Sequence, residues 1–299
     1  MGNRIDKKRS SLLGYIYSFP MGLWLIVFFV VPICIIVTYS FLKKGLYGGV
    51  TNHFSLSAYG QIFNPSFLLL TWRTIWISVL STAICLFLAI PCGYAMARSK
   101  HQTLLLAMVI IPFWTNSLIR IYAWINILST EGFINNLLLK LSIIDSPLSL
   151  IYNHGSVILV LIYMYLPYAI LPLFTIIDKF DFSLLDAARD LGAKKFTAFI
   201  RILIPNIKSG ISTSLIFTFM PIFGAYTVPL LVGGMDSTML GNVIVDQVQK
   251  TRNWPVAAAF SVVLTMLSMI GVLWMMRTSS KDEEQRKSSS HTKEKKEAR

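Results

Sequence analysis

The chain has 299 residues, of which 55% are hydrophobic and only 14% charged, whereas soluble domains carry about a quarter charged residues. That balance excludes a water-soluble globular domain as the main body of the protein. The net charge of +13 does not point to nucleic acid, because the basic residues sit in short stretches beside apolar runs and form no aromatic-studded basic face.

Residues 1–20 form a polar, basic segment with Arg4, Lys7, Lys8 and Arg9. The apolar run that follows is too long for the core of a signal peptide and lacks a small-residue cleavage site, so it is expected to stay as an anchor. A membrane span needs about 20 apolar residues. Six stretches qualify, at about 21–42, 74–97, 104–127, 156–177, 210–232 and 256–276. The third is interrupted by Asn116, Arg120 and Asn126. The expected fold is therefore all-α, a polytopic membrane protein with six transmembrane helices over 21–277. Prolines 32, 91, 112, 167, 172, 221 and 229 lie within these spans and predict kinks, because each removes a backbone donor. Cys34, Cys85 and Cys92 all fall inside apolar runs and read as small buried hydrophobes.

Lysine and arginine collect on the cytoplasmic side of a membrane protein. With the N-terminus inside, the inner segments hold 20 of the 27 basic residues against 6 outside, and Arg120 is the remaining one. Both termini are thus expected in the cytoplasm. In the outer loop 129–153, Ile134, Leu137, Leu138, Leu141 and Ile144 predict a short surface helix that Pro147 ends. Segment 278–299, rich in Lys, Glu and Ser, has too little apolar surface to bury and is expected to be a disordered tail.

Between the fourth and fifth spans lies S-L-L-D-A-A-R-D-L-G-A-K-K-F-T-A-F-I-R-I-L-I-P, residues 183–205. Ser183 with Asp186 predicts a capping box. Leu184, Leu185, Ala188 and Leu191 give an apolar stripe at helical spacing. Gly192 suits a left-handed helix end. A second short helix follows with Phe196, Phe199, Ile200 and Leu203 on one side, closed by Pro205. Geometry alone fits either an amphipathic hairpin with no partner or a docking element.

The pattern D-A-A-x-x-x-G, nine residues, then I-x-I-P resembles the E-A-A-x-x-x-G…I-x-L-P signature of permease subunits of ABC importers. Every spacing matches, with Asp186 in place of glutamate and Ile204 in place of leucine. The resemblance implies the type I importer permease fold. It also implies that this loop docks into a groove on a separate ATPase, with Asp186, Ala187, Ala188, Gly192, Ile202 and Pro205 as its coupling residues.

The stretch Pro112–Trp124 gathers Trp114, Asn116, Arg120, Tyr122 and Trp124. It fits an aromatic belt at the outer interface, with Arg120 reaching headgroups, or the wall of an outward-facing cavity. Counted along a straight helix from Leu104, Arg120 lies about 24 Å up, near the outer side. The strings I-P-F-W-T-N-S-L-I-R-I-Y, L-S-T-E-G-F-I-N-N-L-L, L-G-N-V-I and R-N-W-P-V-A-A-A, with the loop above, look like the first permease subunit of spermidine/putrescine importers over about 20–277. That resemblance implies an inner-membrane subunit working with a second permease, an ATPase dimer and an extracytoplasmic polyamine-binding protein. Aromatic faces hold cations at about 0.5–2 kcal/mol each, so Trp114, Asn116, Arg120, Tyr122, Trp124, Tyr226 and Asp236 are the substrate-path candidates. A permease for another solute, such as an amino acid, metal chelate or anion, and a stand-alone carrier are the competing readings.

No G-x-x-x-x-G-K-[ST] phosphate loop is present, so this chain is expected not to be an enzyme and to hold no cofactor. ATP and Mg would belong to the partner ATPase. No metal-ligand spacing appears, and the four histidines are scattered. Ser156 near His154, at a span edge, reads as a helix cap.

Overall fold

Lipid offers no hydrogen bonds, so apolar segments that cross it must satisfy their backbones internally, as helices. The computed structural model describes residues 19–273 and 276, and among these the apolar stretches are helical. Four helices are long and apolar enough to span a membrane, and up to six if each of two bent pairs counts as one span. In chain order they are α1 (Phe19–Ser40), α2 (Pro65–Ala97), α6 (His154–Ile177) and α12 (Trp254–Leu273). The bent pairs involve α3 (Gln102–Ile110, continued by a 3-10 turn to Trp114) and α4 (Ser117–Leu128), and α8 (Lys195–Asn206) and α9 (Lys208–Phe223). Shorter helices are α5 (Phe133–Lys140), α7 (Ser183–Asp190), α10 (Thr227–Val232) and α11 (Leu240–Gln249). The expected basic segment up to residue 18 and the tail 278–299 lie outside the described residues.

The described residues form two compact units. The first comprises residues up to Phe67 together with Ile244–Thr265. It holds α1, whose apolar side chains are almost all exposed, a state that only lipid or another apolar chain accommodates. After α1 comes a two-stranded antiparallel hairpin, β1 (Leu42–Lys44) and β2 (Val50–Phe54). No alternating pattern announces it. Gly48 and Gly49, both at positive φ, make its turn, and the Gly49 N–H donates to the Arg252 carbonyl at 3.2 Å. Phe67 and Phe260, with ring centroids 4.1 Å apart, close the unit.

The second unit comprises Leu68–Val243 and the described residues from Met266. Its centre is α6, whose buried residues include Val157, Val160, Leu161, Ile170, Leu173 and Ile177. Helix α9 lies against it through Gly210, Ser214 and Thr218, one turn apart and all buried. Small residues let backbones approach closely where lipid is as apolar as leucine. A Cβ on Gly210 would lie 3.1 Å from Ile176. Helix α2 presents a similar stripe of Ser78, Ser81, Cys85 and Ala89, and a Cβ on Gly93 would lie 3.3 Å from Ile177. At 33 residues, α2 is about 50 Å long. It therefore outreaches a hydrocarbon core of about 30 Å and carries an end into water.

The third and fifth spans, expected over 104–127 and 210–232 with proline kinks, are interrupted outright. The third breaks at Thr115 and Asn116, where the axis turns by 91°. Both residues are extended. The Thr115 hydroxyl donates to the Pro112 carbonyl at 2.6 Å, and Asn116 Oδ1 accepts from the Leu118 N–H at 2.8 Å to start a new helix. The fifth ends at Phe223 and restarts at Thr227. There Asn242 Nδ2 donates to the Tyr226 carbonyl at 2.8 Å. Gly241 packs so closely that a Cβ would sit 2.8 Å from the Ala225 carbonyl. The outer surface helix α5 also ends at Lys140, well before Pro147. Ser142 ends it at φ 54°, with the Ser142 N–H donating to Leu139 and the Ile143 N–H to Leu138; Asn135 within the helix is fully buried and bonds Ser129 and Leu148.

Candidate functional site

Helices α7 and α8 form the charged hairpin singled out in the sequence. Its entry differs from expectation. The N-cap of α7 is Phe182, and no side chain caps it. Asp181 Oδ1 accepts from the Ser183 N–H at 3.0 Å, and the hydrogen bonds from Ser183 hold the exposed Asp181 carboxyl below the usual aspartate range. Asp186, free of capping duty, pairs with Arg189 at 3.3 Å on the water side. The capping box is found instead at the start of α6, between Asn153 and Ser156. Ser156 thus serves as a capping residue, and His154 Nδ1 meets Ser237 Oγ at 3.0 Å.

The exit from α7 follows the glycine rule. Gly192 has φ +89°. Its N–H donates to the Arg189 carbonyl at 2.9 Å, and the Ala193 N–H donates to Ala188 at 3.0 Å. These are the two bonds of a Schellman turn. Pro205 does not close the second helix. It lies inside α8, whose backbone passes through a π turn at Phe199–Leu203 and continues to Asn206 before bending 71° into α9.

Burial divides the hairpin differently from its expected stripes. Leu185 (4% exposed), Ala198 (2%) and Leu203 (0%) are buried in a core with Met96, Ala97, Phe174 and Ile177. Ala188 and Ile202 are half-buried beside them, whereas Leu191 (90%), Phe196 (74%), Leu184 and Ala187 face outward. One side of the hairpin is locked to the ends of α2 and α6. The other shows water an apolar tip rimmed by Asp186, Arg189, Asp190, Lys194 and Lys195.

The lock is aromatic, and the sequence reading missed it. The Tyr94 ring lies edge-on to Phe199 at 5.4 Å and to Phe182 at 6.0 Å, and Phe180 adds to Phe182 at 5.4 Å. Arg98 donates to the Tyr94 hydroxyl at 3.1 Å and lies over the Phe182 ring at 5.4 Å. The first contact raises the Arg98 pKa further. The available signal was Tyr94 and Arg98 one turn apart at the end of a span. An open cleft of about 730 Å³, lined by Tyr94, Arg98, Leu185, Arg189, Lys195 and Phe196, separates α2 from the hairpin. The hairpin is thus packed against the ends of two spans and leaves its tip uncovered.

The substrate-path candidates do not share one pocket. The cavity at the break of the third span, about 280 Å³, is lined by Ile110, Phe113, Trp114, Pro167, Tyr168 and Leu171. Of the seven candidates it contains only Trp114. Asn116 is spent as a cap. Trp124 packs edge-on against Tyr163 at 5.4 Å. Tyr122, Tyr226 and Asp236 are exposed, Asp236 on the turn Met235–Ser237. Because of the break, Arg120 begins a separate helix, and a depth counted along a straight one does not apply. Among the described residues no group of three or more His, Cys, Asp or Glu is placed to hold a metal.

A helical polytopic protein with a two-helix lever seated on its spans is a membrane subunit of the ABC importer type. A solved bacterial ABC transporter involved in the import of the acidic polysaccharide alginate has the same fold, with TM-score 0.77 at 16% identity, over 94% of this chain and 99% of that one. The family described as binding-protein-dependent transport system inner membrane component matches residues 86–282. The spermidine/putrescine transport system permease protein PotB of Escherichia coli (strain K12) is 38% identical over 258 residues, covering 86% of this chain and 94% of the relative. PotB of Haemophilus influenzae is 36% identical over 82% of this chain and 86% of its own length. The chain belongs to the binding-protein-dependent transport system inner membrane component family, and it is a multi-pass protein of the inner membrane.

Proposed function

We propose that this chain is one membrane-spanning half of an ATP-driven importer of polyamines. Hairpin 183–205 is its joint to a separate ATPase dimer, and both termini lie in the cytoplasm. A second permease completes the pore, and an extracytoplasmic binding protein delivers the solute. ATP and Mg act on the ATPase, and this chain carries no nucleotide site of its own. Asp186, Ala187 and Gly192 present the docking face, while Ala188, Ile202 and Pro205 shape the hairpin behind it. The polyamine class is supported by the kinship to PotB proteins over most of the chain.

The observation that carries the coupling role is the division of the hairpin. Leu185, Ala198 and Leu203 are buried against the spans, while Leu191 and Phe196 are left bare. An exposed apolar tip at the end of a rigid, water-facing element marks an interaction site. The test is purification of the tagged chain with its native partners into nanodiscs, followed by ATP turnover in the presence of loaded binding protein. Spermidine or putrescine should stimulate turnover, whereas an amino acid, a metal chelate and an anionic sugar should not. Asp186→Lys should leave the pore assembled and abolish the stimulation. An ATPase that never accompanies the chain, or stimulation only by a non-polyamine, would overturn the reading.

A further inference from the structure

Arg120 lies in the broken third span, and no ion pair joins it to a carboxylate among the described residues. Its guanidinium lies over the Phe113 ring, with Cζ 4.4 Å from the centroid. Its Nε and Nη1 are covered, yet neither has a hydrogen-bond acceptor. Arginine cannot shed its proton to escape such a position. No carboxylate occurs between Pro65 and Thr130 or between Ser146 and Ile177, so the stretches that build this region cannot supply one. A side chain meant for lipid headgroups extends outward and keeps its charged head wet. This one is drawn in beneath an aromatic ring. The Phe113 ring also lines the open cavity of about 280 Å³ at the break, whose wall includes the exposed rings of Trp114 and Tyr168. The result is an apolar concave face with an unpaired cation at its edge.

We propose that this face, at the broken third span, docks a membrane segment of the second permease, and that this segment presents an aspartate or glutamate to Arg120. A carboxylate is the group whose two oxygens match the guanidinium fork. In apolar surroundings such a pair is specified by chemistry as well as by shape, because any other neighbour leaves the cation unpaired. On pairing, the guanidinium turns off the Phe113 ring to meet the carboxylate edge-on. The inference rests on the reading of the chain as one of two membrane halves, and it specifies what the other half must carry.

The test uses the tagged chain extracted with its partners, with recovery of the second permease and of the ATPase measured separately. Arg120→Ala should lower recovery of the second permease about tenfold, the scale of one interhelical polar contact in a membrane. Arg120→Lys should retain part of it. Replacing one intramembrane carboxylate of the recovered partner by its amide should reproduce the loss, and exchanging the two charges should restore recovery. A photo-cross-linker at the exposed Trp114, in the cavity wall beside Phe113, should capture the second permease in the otherwise unaltered complex. Normal partner recovery with Arg120→Ala overturns the inference, as does a cross-linker at Trp114 that captures lipid alone. If the chain recovers a carboxylate-bearing membrane partner through Arg120 but no ATPase, the proposed function falls and this inference stands. If it recovers the ATPase and the second permease whatever occupies position 120, the reverse holds.

Discussion

Replacing Gly192 isolates the contribution of hairpin shape from that of packing. A Cβ built at Gly192 meets nothing within 4 Å, so a larger side chain collides with nothing in the chain itself. The cost is conformational: at φ +89° an L-residue sits in the left-handed region, at about 1–2 kcal/mol. One tenfold step is about 1.4 kcal/mol, so the ratio of closed to open turn falls about five- to thirtyfold. Leu185 and Ala198 hold the helices on either side of the turn in the core, which sets how much of that change reaches the closed population. Gly192→Val should therefore leave the protein folded and assembled while lowering solute-stimulated ATP turnover by up to about that factor, and Gly192→Asn should be milder because asparagine visits this region more readily. The assay is turnover of the reconstituted complex at saturating binding protein, with assembly checked by subunit stoichiometry. Wild-type turnover in Gly192→Val would refute the argument, since it would mean that the bend is not needed for transmission.

Other outcomes follow from packing and hydrogen bonding. Asn135→Ala strips buried partners from Ser129 and Leu148, at about 1–3 kcal/mol per unsatisfied group. Protease added outside sealed vesicles should then cut segment 129–150 faster, and unchanged cleavage would count against a pinning role. Gly210→Leu forces a side chain into Ile176, 3.1 Å from the Cβ position, and overpacking costs about 1–3 kcal/mol. The detergent-solubilised protein should melt earlier, with partial recovery on adding Ile176→Val, and an unshifted melt would show that α6 and α9 are less tightly mated. Asp181, just ahead of α7, titrates below the usual range because Ser183 bonds its carboxylate. Its contribution is thus complete above the ordinary aspartate value of about 3.9 and is lost only as pH falls through the lower native one. Hydrogen exchange at 183–186, corrected for the intrinsic rate at each pH, should stay level through neutrality and mildly acid pH, and a loss beginning near neutrality would exclude the Asp181 carboxylate as what holds the entry to α7.

Local properties were readable from the chain because they depend on neighbours a turn or two away. Apolar runs of about 20 residues announce helices, since lipid allows few other backbones. The sequence from Ser183 to Pro205 announces a two-helix hairpin, and Gly192 announces its bend, since glycine alone takes a positive φ without strain. Contacts distant in sequence decided the rest. Leu184 and Leu191 share the stripe of Leu185 on paper, but only Leu185 lies where the ends of α2 and α6 meet the hairpin. The aromatic knot of Tyr94, Phe180, Phe182 and Phe199 draws on three separate segments that no short window contains. In the third span Pro112, Asn116 and Arg120 announce a kinked and interrupted helix, but not the place or the size of the break. The span breaks because Thr115 and Asn116 hydrogen-bond the backbone on either side, and that choice between competing partners is made by the packed molecule and not by hydropathy.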